Sequence, residues 1–332
     1  MNRRRFLAAT AGAVATGSSR GLVLAAETLA NERIRIVTGL RATVQSLGWI
    51  GTESGIFKQL GVEVSFPKLE TGGPEAAAGL VRGDWELAET GSSPLIQGVL
   101  DGRDTVILLT PTAPSPTGSP LLARQGIAEP AQLDGKRIGV LTETGQMTIG
   151  VRVALRKWGV NAILVPLGTF GKIYAAVGAG EVDAGVLPSD YRFLGSREFK
   201  LNVIETPAAG FSSAAVGCTR GLIAANRALI ARIVQGYVQT IHFFKTQRAE
   251  VIPLLQRFLM FRDRSAVEDA YDFYAPLFQP SPRPPAEGIQ KLLAELARNQ
   301  PAAAKLSVES VVDLSFLDEL ERNGLMRKLY GR

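Results

Sequence analysis

The order of expected elements makes this an α/β chain of two lobes, each a mainly parallel sheet flanked by helices, with a hinge between them. Three observations predict it: strands alternate with helices, the same alternation recurs further along the chain, and Pro/Gly-rich crossings separate the copies. Strand–helix alternation implies parallel pairing through right-handed crossovers. An internal repeat of that grammar implies a second unit of the same kind.

The first copy opens with a β-branched run over 33–37, followed by a helical pattern over 43–57. Leu60-Gly61-Val62 ends that helix, and 62–66 reads as a second strand. A Gly-Pro turn starts a helix over 74–81, Gly83-Asp84 ends it, and 85–89 is a third strand. In the second copy, 136–141 is a strand and 146–158 a helix ended by Gly159. A strand over 162–167, a helix over 172–177 ended by Gly180, and a strand over 182–187 complete it. Glycine just past a helix end supplies the left-handed residue that such an end wants. Pro111, Pro114, Pro116 and Pro120 make 110–120 a stiff extended crossing, and 206–213 with Pro207 and Gly210 is the return. The expected domains are therefore 31–113 with 211–332 as lobe 1 and 114–210 as lobe 2. Apolar residues at helical spacing continue over 224–246, with further helices at 249–261, 266–278, 287–298 and 308–323, all expected on lobe 1.

Residues 1–30 read as an export signal. Arg3, Arg4 and Arg5 are followed by an apolar stretch from Phe6 to Ala15, and then by Ala25, Ala26 and Ala30. Charged, apolar and small is the order of a cleaved leader. Arg3-Arg4-Arg5-Phe6-Leu7 is similar to the twin-arginine pattern; a general secretory signal with an extra arginine is the alternative. The apolar part is too short to span a bilayer, which takes ~20 apolar residues. Removing the four arginines that precede residue 26 takes the formal net charge from +6 to +2, which is no nucleic-acid footprint. With one cysteine, Cys218, the chain makes no internal disulfide, and its length can bury a sufficient core without one.

Four stretches resemble the nitrate/sulfonate/taurine (NitT/TauT) family of ABC-transporter substrate-binding proteins, which also contains binders of thiamine-pyrimidine precursors. Gly55-Ile56-Phe57-Lys58 with Leu60-Gly61-Val62-Glu63-Val64 is the first, and Leu80-Val81-Arg82-Gly83-Asp84-Trp85-Glu86 the second, with Asp84 early and Glu86 nearer the usual position. Leu133-Asp134-Gly135-Lys136 and Gly180-Glu181-Val182-Asp183-Ala184 are the third and fourth. The resemblance implies a type II periplasmic-binding-protein fold, a periplasmic monomer, and partnership with a membrane permease and its ATPase. It implies a small organic or oxyanionic solute bound between the lobes. It implies no cofactor.

In open α/β sheets ligands bind beyond the carboxyl ends of the strands. That rule nominates Arg41 and Thr43 after the first strand, Gly72 after the second, and Gly91, Ser92 and Ser93 after the third. In lobe 2 it nominates Thr144, Gln146 and Met147, with Pro188 after the last strand; Ser115 and Phe211 reach in from the hinge. Ser93 before Pro94 is the best local signal, since a helix N-terminus offers free N–H groups to an anion; alternatively Ser93 only caps its own helix. Arg41 suits a sulfonate or carboxylate, whereas Glu89 near the cleft opposes an anion. Asp183 is expected to be structural.

No catalytic residue and no metal ligand set is nominated. His242 stands alone in a helical pattern, no Gly-x-Ser-x-Gly elbow or P-loop occurs, and Cys218 lies in an apolar strand. Two alternatives stay open. One is an enzyme on the same fold, a menaquinone-pathway dehydratase or a thiamine-pyrimidine synthase, which the export signal opposes. The other is a ligand-sensing subunit.

Overall fold

A computed structural model describes residues 32–113, 119–208, 210–211 and 214–331. The expected export signal over 1–30 and the candidate Ser115 lie outside the described residues.

The chain begins with β1 (Glu32–Thr38) and a 3-10 turn at Thr43–Gln45. Next come α1 (Leu47–Glu53), α2 (Ile56–Gln59) and β2 (Val62–Ser65). The single helix expected over 43–57 is thus three pieces. Gly55, at φ 78°, turns the chain between α1 and α2 in a conformation that a β-carbon would strain. Then follow α3 (Gly73–Arg82), β3 (Leu87–Thr90), α4 (Ser92–Leu100) and β4 (Thr105–Leu109).

Across the first crossing lie β5 (Leu121–Ala123), β6 (Arg137–Val140), α5 (Gln146–Trp158) and β7 (Ile163–Pro166). They are followed by α6 (Phe170–Gly178), β8 (Ala184–Val186), α7 (Asp190–Glu198) and β9 (Asn202–Ile204). The return leads to β10 (Ala215–Thr219), α8 (Arg220–Ala225) and α9 (Arg227–Thr246). Further helices are α10 (Arg248–Leu259), α11 (Arg264–Tyr274), α12 (Ala286–Ala297), α13 (Val308–Val311), α14 (Ser315–Arg322) and α15 (Leu325–Tyr330). The helix expected over 224–246 is interrupted at Asn226, whose side chain accepts from Leu229 N and so starts α9 afresh. The one expected over 308–323 is interrupted by Asp313, which accepts from Ser315 N at 2.9 Å.

The strands form two five-stranded sheets, ordered β2-β1-β3-β10-β4 and β7-β6-β8-β5-β9. The two orders correspond position by position. In each sheet one strand is antiparallel to both neighbours: β10 to β3 and β4, and β5 to β8 and β9. The physical reason is the crossing itself. β4 and β9 run toward the seam between the lobes, so the strand that enters the other sheet starts at its seam end and runs the opposite way. The carboxyl ends of the parallel strands consequently face one seam.

The core explains why these segments are strands. All five residues of β4 are buried, which is why it reads as a near-continuous apolar run rather than an alternating one. α9 lies over α1 and α2, where Phe57 packs edge-on against Tyr237 at 5.6 Å. α3 and α12 cover the other face, with Trp85 donating to Ala76 O at 2.8 Å. The second sheet has its own cluster around Leu121, Ile138 and Val186. The largest apolar cluster is continuous from the first lobe into Phe170, Ile173 and Leu187 of the second, so the lobes are in contact. No helix among the described residues is long and apolar enough to cross a membrane.

Candidate functional site

The loop after β1 carries Arg41 and Thr43. Thr43, fully buried, donates from its backbone N–H to Asp190 Oδ1 at 3.1 Å, and its hydroxyl donates to the same oxygen. Asp190 is the first residue of α7, so this contact joins the lobes. Burial raises the Asp190 carboxyl to about 6, against the Thr43 donors and the Tyr274 hydroxyl, which favour its ionised form. Gln45 is held by accepting from Leu40 N at 2.9 Å.

Arg41 is engaged by groups of its own lobe. Its guanidinium donates to Phe258 O at 2.9 Å and lies 3.8 Å from Glu70. Glu70 in turn accepts from Phe170 N of the second lobe at 3.4 Å. Burial raises the Glu70 carboxyl from its usual range, opposed by the Phe170 N–H and Arg41. The sequence reading of Arg41 as an anion partner is therefore replaced by a role in this Arg41–Glu70–Phe170 link. Gly72 caps α3 at φ 82°, close to Thr142 of the second lobe.

At the third strand the cap is Gly91 rather than a serine. Ser92 and Ser93 are the first residues of α4, both are buried, and neither hydroxyl caps this helix. The reading of Ser93 as its own helix cap is thereby overturned. Its N–H donates at 2.7 Å to Oε1 of Gln146, the first residue of α5 in the other lobe. Two helix N-termini thus meet across the seam, with one side chain bridging them. A β-carbon on Gly91 would stand 2.7 Å from Gln146 Cβ, so only glycine lets the lobes approach this closely here.

In the segments that follow these strands, buried polar atoms have no hydrogen-bond partner among the described residues: Ser92 Oγ and Ser93 Oγ at the start of α4, Thr142 Oγ1 after β6, and Gln45 Nε2 in the 3-10 turn after β1. Buried polar groups are ordinarily paired, so each unpaired one needs a reason. A set of hydroxyls and an amide at the C-terminal ends of facing sheets is able to hold a small polar molecule by hydrogen bonds.

The other nominated residues divide. Met147 is half-buried against the apolar clusters, and Pro188 is buried with its carbonyl accepting from Tyr191 N at 3.0 Å. Thr144 is exposed and lines a groove of about 1200 Å³, which runs along α3 and α4 on one side and α5 on the other. Phe211 packs into the cluster around α12 instead of the seam, because the return crossing runs against Gly288. Thr142 and Gln45 were missed by the sequence reading, and Asp190 fell within the stretch after the last strand of lobe 2 without being singled out. The first two differ little from neighbouring polar residues in the sequence. Asp190 had a usable signal, a carboxylate at the start of a helix directly after a strand.

Glu89 was expected near the cleft, as a charge opposed to an anion. It turns into its own lobe and accepts from Gly48 N in the first turn of α1 at 2.7 Å, beside Tyr237. Asp183 is structural as expected, pairing with Arg124 at 2.8 Å and accepting from Arg137 N at 3.0 Å. Cys218 is fully buried in β10, and His242 packs edge-on against Tyr330 at 5.1 Å. Among the described residues no group of His, Cys, Asp and Glu could hold a metal ion.

The family model described as NMT1/THI5 like matches residues 46–247, more than half of the chain. No curated protein sequence is significantly similar to it. Several solved structures share the fold. One is a Bordetella bronchiseptica RB50 protein, with TM-score 0.76, 16% identity, and coverage of 90% of this chain and 98% of that one. Another is the alkanesulfonate-binding protein SsuA from Xanthomonas axonopodis pv. citri bound to MOPS, with TM-score 0.70, 18% identity, and coverage of 85% and 98%. A third is the periplasmic nitrate-binding protein NrtA from Synechocystis PCC 6803, with TM-score 0.67, 12% identity, and coverage of 88% of each chain. At these identities the likeness is one of fold: the two-lobe type II architecture.

Proposed function

Since the chain belongs to the NMT1/THI5-like family, we propose that it is the periplasmic solute-binding component of an ABC importer and not an enzyme. It binds a small polar solute in the seam between the lobes and presents it to a permease driven by an ATPase. Residues 1–30 direct export and are removed, with the arginines Arg3, Arg4 and Arg5 marking the twin-arginine route. The lobes are 31–113 with 211–332, and 114–210, hinged at the two crossings. The fold neighbours named for alkanesulfonate and nitrate binding support this reading.

One observation carries it. The α4 N-terminus of one lobe meets the α5 N-terminus of the other through Ser93 N and Gln146 Oε1, among buried hydroxyls that have no partner. Helix N-termini that converge from two lobes are a means of gripping a small molecule, and closure of two lobes on a hinge buries it.

The test starts with mass spectrometry of whatever co-purifies from the periplasm, followed by calorimetry with the recovered compound. Ser93→Ala should weaken its binding by up to about tenfold, the loss of one hydrogen bond to a polar solute. Because Ser93 caps nothing, the melting temperature of the solute-free variant should stay where it is. A lowered melting temperature with unchanged affinity would remove the seam as the binding site.

A further inference from the structure

At two contacts in the seam, lobe 1 donates and lobe 2 accepts. Ser93 N–H at the start of the nine-residue α4 is taken by Gln146 Oε1. The N–H and hydroxyl of Thr43, where the chain turns into α1, are taken by Asp190 Oδ1. These are the groups that recognise an oxyanion in other proteins, namely free helix N-terminal N–H groups and a hydroxyl. Their occupants are an amide oxygen and a carboxylate oxygen, acceptors of the kind an anion's oxygens would supply.

We infer that Gln146 and Asp190 set the selectivity of the cleft: they occupy the anion-recognising donors of lobe 1, so an oxyanionic solute binds only by displacing them. This rests on the proposed seam site and states what that site discriminates. The cost to an anion is twofold. It must break existing hydrogen bonds, and it must approach the Asp190 carboxylate in surroundings of low dielectric, where like charges repel strongly. No cation offsets this in the nearby loop, because Arg41 is directed to Phe258 O and paired with Glu70. A neutral solute meets neither cost and can use the unpartnered Gln45 Nε2 and the hydroxyls of Ser92, Ser93 and Thr142.

The displacement is also pH-dependent. The titratable groups that interact with Asp190 are Tyr274 from α11 and Tyr191 from its own helix; Arg41 and Glu70 from the loops of lobe 1 act on Tyr191, and Arg192 acts on Tyr274. Burial outweighs the donors around it, so the carboxyl takes up its proton near pH 6. Protonation removes the repulsion without removing the contact to Thr43.

The experiment uses the full chain, with ethanesulfonate and nitrate as oxyanion probes in titration calorimetry at acid and alkaline pH. Solution scattering is recorded without added solute. In Asp190→Asn the oxygen facing Thr43 is kept and the charge is lost. Ethanesulfonate should then bind at least about tenfold more tightly at alkaline pH, the scale of a charge–charge term near a protein surface. The rise in wild-type affinity on acidification should vanish in that variant. The double variant Asp190→Ala/Gln146→Ala should show a larger radius of gyration, its lobes having lost both bridges. Unchanged affinity and pH dependence in Asp190→Asn, or an unchanged radius in the double variant, overturns the inference. If neither protein binds either probe, scattering still decides: an expanded double variant upholds the displacement and counts against anion binding in the seam, whereas an unexpanded one sinks the displacement itself.

Discussion

Glu89 and Asp190 are both buried carboxyls at the carboxyl ends of strands, and burial raises both, Glu89 to about 8 and Asp190 to about 6. They differ in whose donors they accept from. Glu89 takes the Gly48 N–H of α1 within its own lobe. Asp190 reaches Thr43 in the other lobe. The same chemistry therefore does different work: the first carboxyl ties elements within one lobe, the second ties one lobe to the other. Position relative to the seam, not residue type, makes that distinction.

The sharpest way to break this comparison is the pH dependence of unfolding. A carboxyl whose folded value is raised adds stability that is fully present below its unfolded value, near 4.5 for Glu89, and is lost as pH rises through about 8. Glu89→Gln keeps an acceptor for Gly48 and cannot ionise. Above pH 8 it should be the more stable protein by on the order of a few kcal/mol, with the advantage gone in acid. Thermal unfolding across that range measures it, and parallel curves for variant and wild type would show that Glu89 is not held protonated.

The seam should respond oppositely, in conformation rather than in unfolding. Gly91 has an ordinary backbone angle of φ −83°, so Gly91→Ala strains nothing within its lobe. Its new methyl would collide with Gln146 and act as a wedge, costing the closed form roughly 1–3 kcal/mol by overpacking. Spin labels placed on the two lobes should report a longer mean distance; an unchanged distance would mean that the lobes accommodate the methyl.

Thr43→Val removes the hydroxyl bond to Asp190 and leaves the backbone one. It should weaken closure by about 1 kcal/mol, seen as a smaller shift of the same label distance. A fall in melting temperature without any distance change would move Asp190 into the class of Glu89. Smallest of all is the rim. Arg197 pairs with Asp269 at 2.5 Å between the lobes, with both side chains partly exposed. Asp269→Asn should cost closure under about 1 kcal/mol, and only at low salt.

Much of the architecture could be read from residue order. α5 begins and ends at the expected Gln146 and Trp158, because Gly145 and Gly159 bound an amphipathic run. The errors share one cause. Gly55, Asn226 and Asp313 interrupt helices whose apolar spacing continues through the break, and spacing alone does not register a change of direction. At the site, Thr43, Ser92, Ser93 and Gln146 were nominated by position after a strand, and they do meet or adjoin at the seam. Arg41, nominated by the same rule, Phe211, nominated from the hinge, and Glu89, expected near the cleft, point elsewhere, since position in the chain places a loop and not a rotamer.

The sequence by itself determined what local chemistry decides: which segments are strands or helices, where glycine and proline turn the chain, and that two similar units are separated by stiff crossings. Only the tertiary structure decided which polar groups face one another. The antiparallel settings of β5 and β10 follow from where the crossings enter each sheet, and the partnerships of Asp190 with Thr43 and of Gln146 with Ser93 join residues far apart in the chain. Such pairs leave no periodic trace, because a hydrogen bond between lobes depends on how two rigid bodies meet and not on the neighbours of either residue.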